Sequence, residues 1–167
     1  MQKEDLRLLY AYNRWANARV IKACRPLSPE HMTAPAPVSF GSMLGTMAHI
    51  LSAESIWRLR LQDGISPTQK ITEADFPGLE ALIAKWQDEE QAMQGFVEGL
   101  DETGLNRWVD YKTTSGEPQG STVWKVLAHV VNHGTQFRAE AGAALASLGH
   151  SPGDLDLILY LRETNQR

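Results

Sequence analysis

His129 and His133 stand four residues apart in Val123–Leu148, VWKVLAHVVNHGTQFRAEAGAALASL, and Gln136 and Glu140 continue the same row. At about 100° per residue these four side chains fall within an arc of roughly 60°. Two imidazoles at i and i+4 project from one helical face and can hold a single divalent ion. The spacing alone is a weak signal, because histidine pairs four apart arise by chance on many helices. The stretch contains no proline, which suits one long helix. Ser121 is the expected N-cap and Gly149 the C′ residue. The apolar face (Val123, Val130, Phe137, Ala141, Ala144, Leu148) lies alongside the polar row, so the row flanks a core. His133 is nearest that core and His129 farther out.

Other elements must bring partners to this row. The spacing predicts a first helix over Lys3 to Cys24, stopped by Arg25-Pro26. Asn13 and Asn17 fall within its stripe of Leu6, Leu9, Tyr10, Val20 and Cys24. Two inward carboxamides imply an interior with polar content, or else backbone partners or a wet edge. The proline-rich connector Pro26–Phe40 has room for one helical turn at Pro29–Met32 after Ser28, with His31 solvated. A second long helix, about Gly41 to Gln62, is apolar over much of its circumference. His49 lies at the flank of its stripe. Read alone, it is a satisfied core histidine; a histidine pair on another helix makes it a candidate ligand. Glu54 falls among Met43, Met47, Ile50, Trp57 and Leu61, so it must be paired with an arginine, protonated, or part of a site.

A third helix follows from about Pro77 to Leu100, with Asp75 as its expected cap. Glu90 interrupts its stripe of Leu79, Leu82, Ile83, Trp86, Met93, Val97 and Leu100, while Glu80, Lys85, Asp88 and Glu89 read as solvated. Asp101–Gly120 loses helical period. Trp108, Val109 and Tyr111 have strand character and Thr113–Pro118 looks like a turn, predicting a hairpin-like excursion that could lie over one end of a bundle. After Gly149 and the His150–Gly153 turn, Asp154–Leu161 reads as a short helix capped by Asp154. Four long amphipathic helices in 167 residues imply an all-α four-helix bundle, one domain spanning 1–167.

Composition narrows the function classes. Hydrophobic content of 43% and charge of 22% are ordinary for a globular protein. A net charge of −4 without any basic cluster argues against nucleic-acid binding. No apolar run approaches the ~20 residues of a membrane span, and no signal core precedes a cleavage site. Cys24 is the single cysteine, so no internal disulfide forms and a cytoplasmic location is expected.

Tyr12-Asn13-Arg14-Trp15-Ala16-Asn17, the Met47-Ala48-His49-Ile50-Leu51 run with Glu54 and Trp57 after it, HVVNHGTQFRAEA at 129–141 and the closing HSPGDLDLILYLRE together resemble the DinB/YfiT-like superfamily. The resemblance covers nearly the whole chain and is specific as a set. It implies an up-down-down-up bundle, often a homodimer, and metal-dependent enzymes that act on small molecules. Relatives include thiol S-transferases and isomerases that use low-molecular-weight thiols. The family's usual site has three histidines, one from helix two and two at i and i+4 on helix four.

This chain departs from that pattern. His133 follows Asn132 as the family's first helix-four histidine does, but the position four residues later is Phe137, which cannot coordinate a metal. His129, one turn earlier, is the best substitute; Gln136 and Glu140 are weaker ones. The expected ligand set is therefore His49, His129 and His133, holding Zn²⁺ or Ni²⁺. Three protein ligands would leave one position open for an activated water or a thiolate, giving hydrolase or thiol-transferase chemistry. Glu54 or Glu90 could orient a ligand ring. The alternative is a non-catalytic bundle with a vestigial site, serving as a small-molecule-binding or dimeric interaction module.

Overall fold

The computed structural model describes residues 1–164. Its helices are α1 (Lys3–Cys24), α2 (Pro29–Thr33), α3 (Met43–Arg58), α4 (Leu79–Gly99), α5 (Glu102–Asn106), α6 (Val123–Ser147) and α7 (Leu157–Glu163). A two-stranded hairpin, β1 (Trp108–Lys112) and β2 (Pro118–Thr122), comes directly before α6. The strands are antiparallel, with Val109 opposite Ser121 and Tyr111 opposite Gln119.

Side-chain contacts set the directions of the four long helices. Tyr10 of α1 donates to the Leu127 carbonyl and Asn17 meets Arg138, so α1 and α6 run parallel. Arg7 pairs with Glu98 and Arg25 with Glu80, so α4 opposes α1. Glu54 meets Trp86 and Arg58 meets Glu89, which makes α3 parallel to α4. The result is the up-down-down-up bundle. Its long connections are the ones the sequence marks: a proline-rich segment before α3, a loop before α4, and the hairpin before α6.

The core falls into two apolar clusters. One gathers Leu6, Leu61, Met93, Val97, Val123 and Leu127. The other gathers Val20, Met43, Met47, Leu82, Phe137 and Leu145. Between them lies a layer of buried polar side chains from all four long helices. Asn13 and Asn17 each donate to Glu54 Oε1, at 2.7 and 3.2 Å. Each accepts from Arg138 Nη1, at 2.6 and 2.8 Å. Trp86 Nε1 donates to Glu54 Oε2 at 2.9 Å. The two carboxamides thus relay between a guanidinium and a carboxylate that make no direct ion pair. Gly134 permits this: a Cβ there would come 2.5 Å from Arg138 Nη1 and 3.0 Å from Asn13 Oδ1.

Several local expectations are corrected by the structure. Ser121 does not cap α6. It is paired in β2, Thr122 takes the cap position, and the Val123 N–H is satisfied by the Arg107 carbonyl at 3.0 Å. Asp75 closes a 3₁₀ turn onto Thr72, leaving Gly78 at the start of α4. Asp156, not Asp154, begins α7. The second long helix is also not α-helical throughout: α3 gives way to a π turn over Leu59–Asp63, closed by Gly64 in the left-handed region at φ 67°. Glu89 is buried, because Arg58 of α3 reaches it with two bonds of 2.5 and 3.0 Å. The α2 turn capped by Ser28, the Gly149 C′ residue at φ 80° and the hairpin agree with the sequence.

Candidate functional site

His49 of α3 and His133 of α6 meet across the antiparallel pair, their Nε2 atoms 3.0 Å apart. Phe137, one turn beyond His133, sets its ring 4.5 Å from the His49 ring centre and 4.6 Å from that of His133. Phe40, from the connector before α3, stacks on His49 at 3.6 Å. Glu140 holds that connector through Ser39, accepting from its backbone N–H and its hydroxyl at 2.9 Å each. The polar row on α6 therefore divides its work. His133 faces α3, Glu140 pins the segment that carries Phe40, and Gln136 is exposed.

Both imidazoles are half-buried, and both lose basicity. His49 falls to about 4, mainly by burial and then by the charge of Lys70, with Glu140 opposing. His133 falls to about 4 by burial first, then by His49, His129 and Arg138. At neutral pH the pair is uncharged, the form in which imidazole nitrogen binds a metal.

His129 borders the same cleft but stands apart from the pair. Its ring centre lies 5.9 Å from that of His133, edge-on to Trp57 at 5.7 Å. The cleft holds about 260 Å³ and is walled by His49, Trp57, Arg60, Lys70, Tyr111, His129 and His133, with Thr113 and Thr114 of the hairpin turn at its rim. The hairpin thus flanks the histidines. Tyr111 packs edge-on to Trp57 at 4.9 Å, and Arg107 donates to the Leu61 carbonyl at 2.8 Å.

Two neutral nitrogens facing one another at this distance approximate two corners of a tetrahedral site, where Zn–N bonds of about 2.05 Å put ligand nitrogens roughly 3.3 Å apart. In donor chemistry the residues fit a divalent metal. In position they supply two ligands, with the third histidine one turn away along α6. Among the described residues no three His, Cys, Asp or Glu side chains converge on one point. Glu54 and Glu90 do not touch the imidazoles. Glu54 is spent in the buried layer, where burial raises its pKa against the pull of Asn13, Asn17, Arg138 and Trp86. Glu90 is pushed up to about 7, by burial first and then by Glu54, with Asn17 and Arg14 opposing. Both border a separate cavity of about 50 Å³ between α1 and α4, room for little more than a water molecule. Cys24 is fully buried and its thiol is pushed up to about 12 by burial, so it is inert as a nucleophile.

Sequence reasoning missed Arg138, Phe40 and Arg60. Arg138 had a signal: it lies seven residues from both Val131 and Leu145, inside the apolar arc of α6. Arg60 follows Ile56 by four residues, in the π turn that continues α3, and like Ile56 it lines the cleft. Phe40 sits in a connector, where no periodicity announces its place.

An up-down-down-up bundle with a histidine from α3 facing one from α6 defines a class of helical proteins with a polar site between two antiparallel helices. The chain belongs to the DinB family, whose sequence profile spans residues 1–167. Protein DinB of Bacillus subtilis (strain 168) is similar to it, 25% identical over 169 residues that cover 95% of each chain. No helix of the described residues is long and apolar enough to cross a membrane.

Proposed function

We propose that this protein is a divalent-metal-dependent enzyme acting on a small molecule in the α3–α6 cleft. His49 and His133 would hold the metal, with His129 turning in from the cleft wall as the third ligand. The observation that carries this reading is the approach of the two neutral Nε2 atoms to 3.0 Å. A bound Zn²⁺ or Ni²⁺ would supply Lewis acidity and lower the pKa of a water or thiol at its open position. The chain's own residues shape the rest. Phe40 and Phe137 wall off one side of the pair from water, and the hairpin residue Tyr111 bounds the other. Because Cys24 is inert, transferase chemistry would draw its sulfur from a low-molecular-weight thiol, whereas hydrolysis needs only water.

The test is metal content after purification without a histidine tag, joined to calorimetric titration with Zn²⁺ and Ni²⁺. About one metal per chain, lost in His49→Ala and His133→Ala and weakened in His129→Ala, is the expected result. Absence of saturable binding by the parent would sink the metal reading. It would leave the second one, a small-molecule-binding bundle in which Phe137 and Phe40 fill the former ligand space; their direct packing on His49 is what favours it.

A further inference from the structure

Arg60 is buried to 5% exposure, yet no acceptor among the described residues takes a hydrogen bond from any of its nitrogens, and its Nε is fully enclosed. Arg138, the other arginine with an enclosed, unbonded Nε, differs: its two terminal nitrogens are satisfied by Asn13, Asn17 and Thr135. An enclosed Nε without an acceptor is costly to folding, and the two terminal nitrogens, which are not enclosed and make no hydrogen bond among the described residues, are open to a partner from outside the chain. Arg60 is also held in place. Its guanidinium carbon lies 4.5 Å from the Trp57 ring centre and 5.0 Å from that of Tyr111. Contact with two rings that stand edge-to-face, 4.9 Å apart, holds the guanidinium in place while leaving its donor edges unspent.

The cleft's electrostatics agree. Arg60 and Lys70 both line it, and among the described residues no carboxylate does, although the chain as a whole carries a net charge of −4. A cationic cleft on an acidic protein concentrates anions.

We infer that this cleft binds a small oxyanion, a carboxylate or phosphate, on the fork of Arg60, with Lys70 as the outer cation. A planar guanidinium with free N–H edges matches either group through paired charge-assisted bonds. That the oxyanion belongs to a substrate, set beside His129 and His133, rests on the function proposed above; the binding itself does not need the metal.

The experiment uses the full chain treated with EDTA and titrated at low ionic strength with inorganic phosphate and, separately, with succinate. Calorimetry reads affinity, and the indole N–H resonance of Trp57 reads location. One saturating site per chain, shifting the Trp57 signal, is expected. The probe that saturates identifies the group as phosphate or carboxylate. Arg60→Gln should weaken binding by about ten- to a hundredfold, Lys70→Gln by about severalfold, and Lys85→Gln, on exposed α4 surface, not at all.

Arg60→Gln should melt close to the parent, because the guanidinium makes no hydrogen bond among the described residues and its enclosed Nε is unpaired. If that variant fails to fold, the Trp57 response of the parent still decides. No saturation by either probe, or saturation without a Trp57 shift, would overturn the inference. Intact oxyanion binding without metal binding would remove only the ligand set proposed above, and the converse would remove only this inference.

Discussion

The polar layer at mid-bundle and the histidine cleft beside it draw on the same two helices, α3 and α6, and touch through His133 and Gly134. They are built on opposite plans. In the layer, Glu54 accepts three N–H bonds, Asn13 and Asn17 each donate once and accept once, and Arg138 spends both terminal nitrogens, its Nε alone being left unpaired among the described residues. A buried polar network of this kind specifies a single packing of four helices. In the cleft, among the described residues, His49 and His133 hydrogen-bond only to each other, Arg60 has no acceptor, and His129 has an aromatic edge. Satisfied groups hold a fold together, whereas groups left unsatisfied on a rigid frame are available to a ligand. The difference teaches which polar residues of a bundle carry stability and which carry chemistry.

Breaking the layer should cost most. Arg138→Ala removes donors to Asn13, Asn17 and Thr135 and leaves Glu54 buried without its nearby cation. Loss of one member of a buried charged network costs about 3–5 kcal/mol. Urea unfolding followed by circular dichroism checks it; a loss under about 1 kcal/mol would mean the layer is not a structural unit.

Phe137→His comes next and works at the border between the two regions. The ring abuts both imidazoles and is itself buried. Trimming its packing should cost the metal-free protein up to about 3 kcal/mol. The new imidazole adds a third nitrogen beside His49 and His133, so Zn²⁺ or Ni²⁺ should bind more tightly than to the parent. Metal at a hundred times its Kd would return about 2.7 kcal/mol by linkage. Thermal unfolding with and without metal, alongside calorimetry, reads both effects. Equal affinity in parent and variant would show that this position is not a ligand position.

How much of this was legible in the sequence follows the same division. The layer announced itself because Asn13, Asn17 and Glu54 break apolar stripes that helical period makes visible. The four long helices and the hairpin were legible for the same reason. Glu89 was not: by period it lies farther from the centre of its stripe than Glu90, and only Arg58 of the neighbouring helix explains its deeper burial. Of the cleft, His49, His129 and His133 were readable as candidates. Their unequal approach was not, since it depends on how α3 crosses α6. Phe40, Lys70 and Tyr111 arrive from connectors and the hairpin, whose docking leaves no trace in local spacing. The cap misread at Ser121 fails similarly, because its backbone pairs with Val109 of the other strand, whereas Asp75 is taken locally, accepting from Thr72 three residues before it.

A pH series separates the two regions with a smaller signal. Glu90, beside the layer, has its folded pKa raised from 4.5 to about 7. The folded chain keeps a proton that the unfolded chain releases, so this stabilisation is whole at low pH and is lost as pH rises toward 7. His49 and His133 have folded values near 4 against 6.5. Their contribution is whole above 6.5 and is lost as pH falls toward 4. The two slopes oppose. Glu90→Gln should leave the histidine slope alone, so stability rises more steeply between about pH 5 and about pH 7.5 in the variant than in the parent. Allowing for Glu90's partial exposure, the difference should be about 1 kcal/mol. Chemical denaturation of EDTA-treated parent and variant at the two pH values measures it, and parallel lines would remove Glu90 from the account.

His129→Ala is the smallest and sharpest test. The side chain is exposed, makes no hydrogen bond among the described residues, and meets its neighbours only through ring contacts with Trp57 and His133. Nothing in the layer depends on it, and alanine is the better helix former at an exposed position. Metal-free stability should therefore change by less than about 0.5 kcal/mol. If His129 supplies the third ligand, the same substitution should lower Zn²⁺ affinity by about tenfold or more, the loss expected when a strong imidazole ligand gives way to solvent. Stability without metal and affinity for metal would then come apart in one variant, as they should wherever a residue serves a ligand and not the fold. A stability loss of about 1 kcal/mol or more, with affinity unchanged, would place His129 with the structural residues and leave the cleft with two metal ligands.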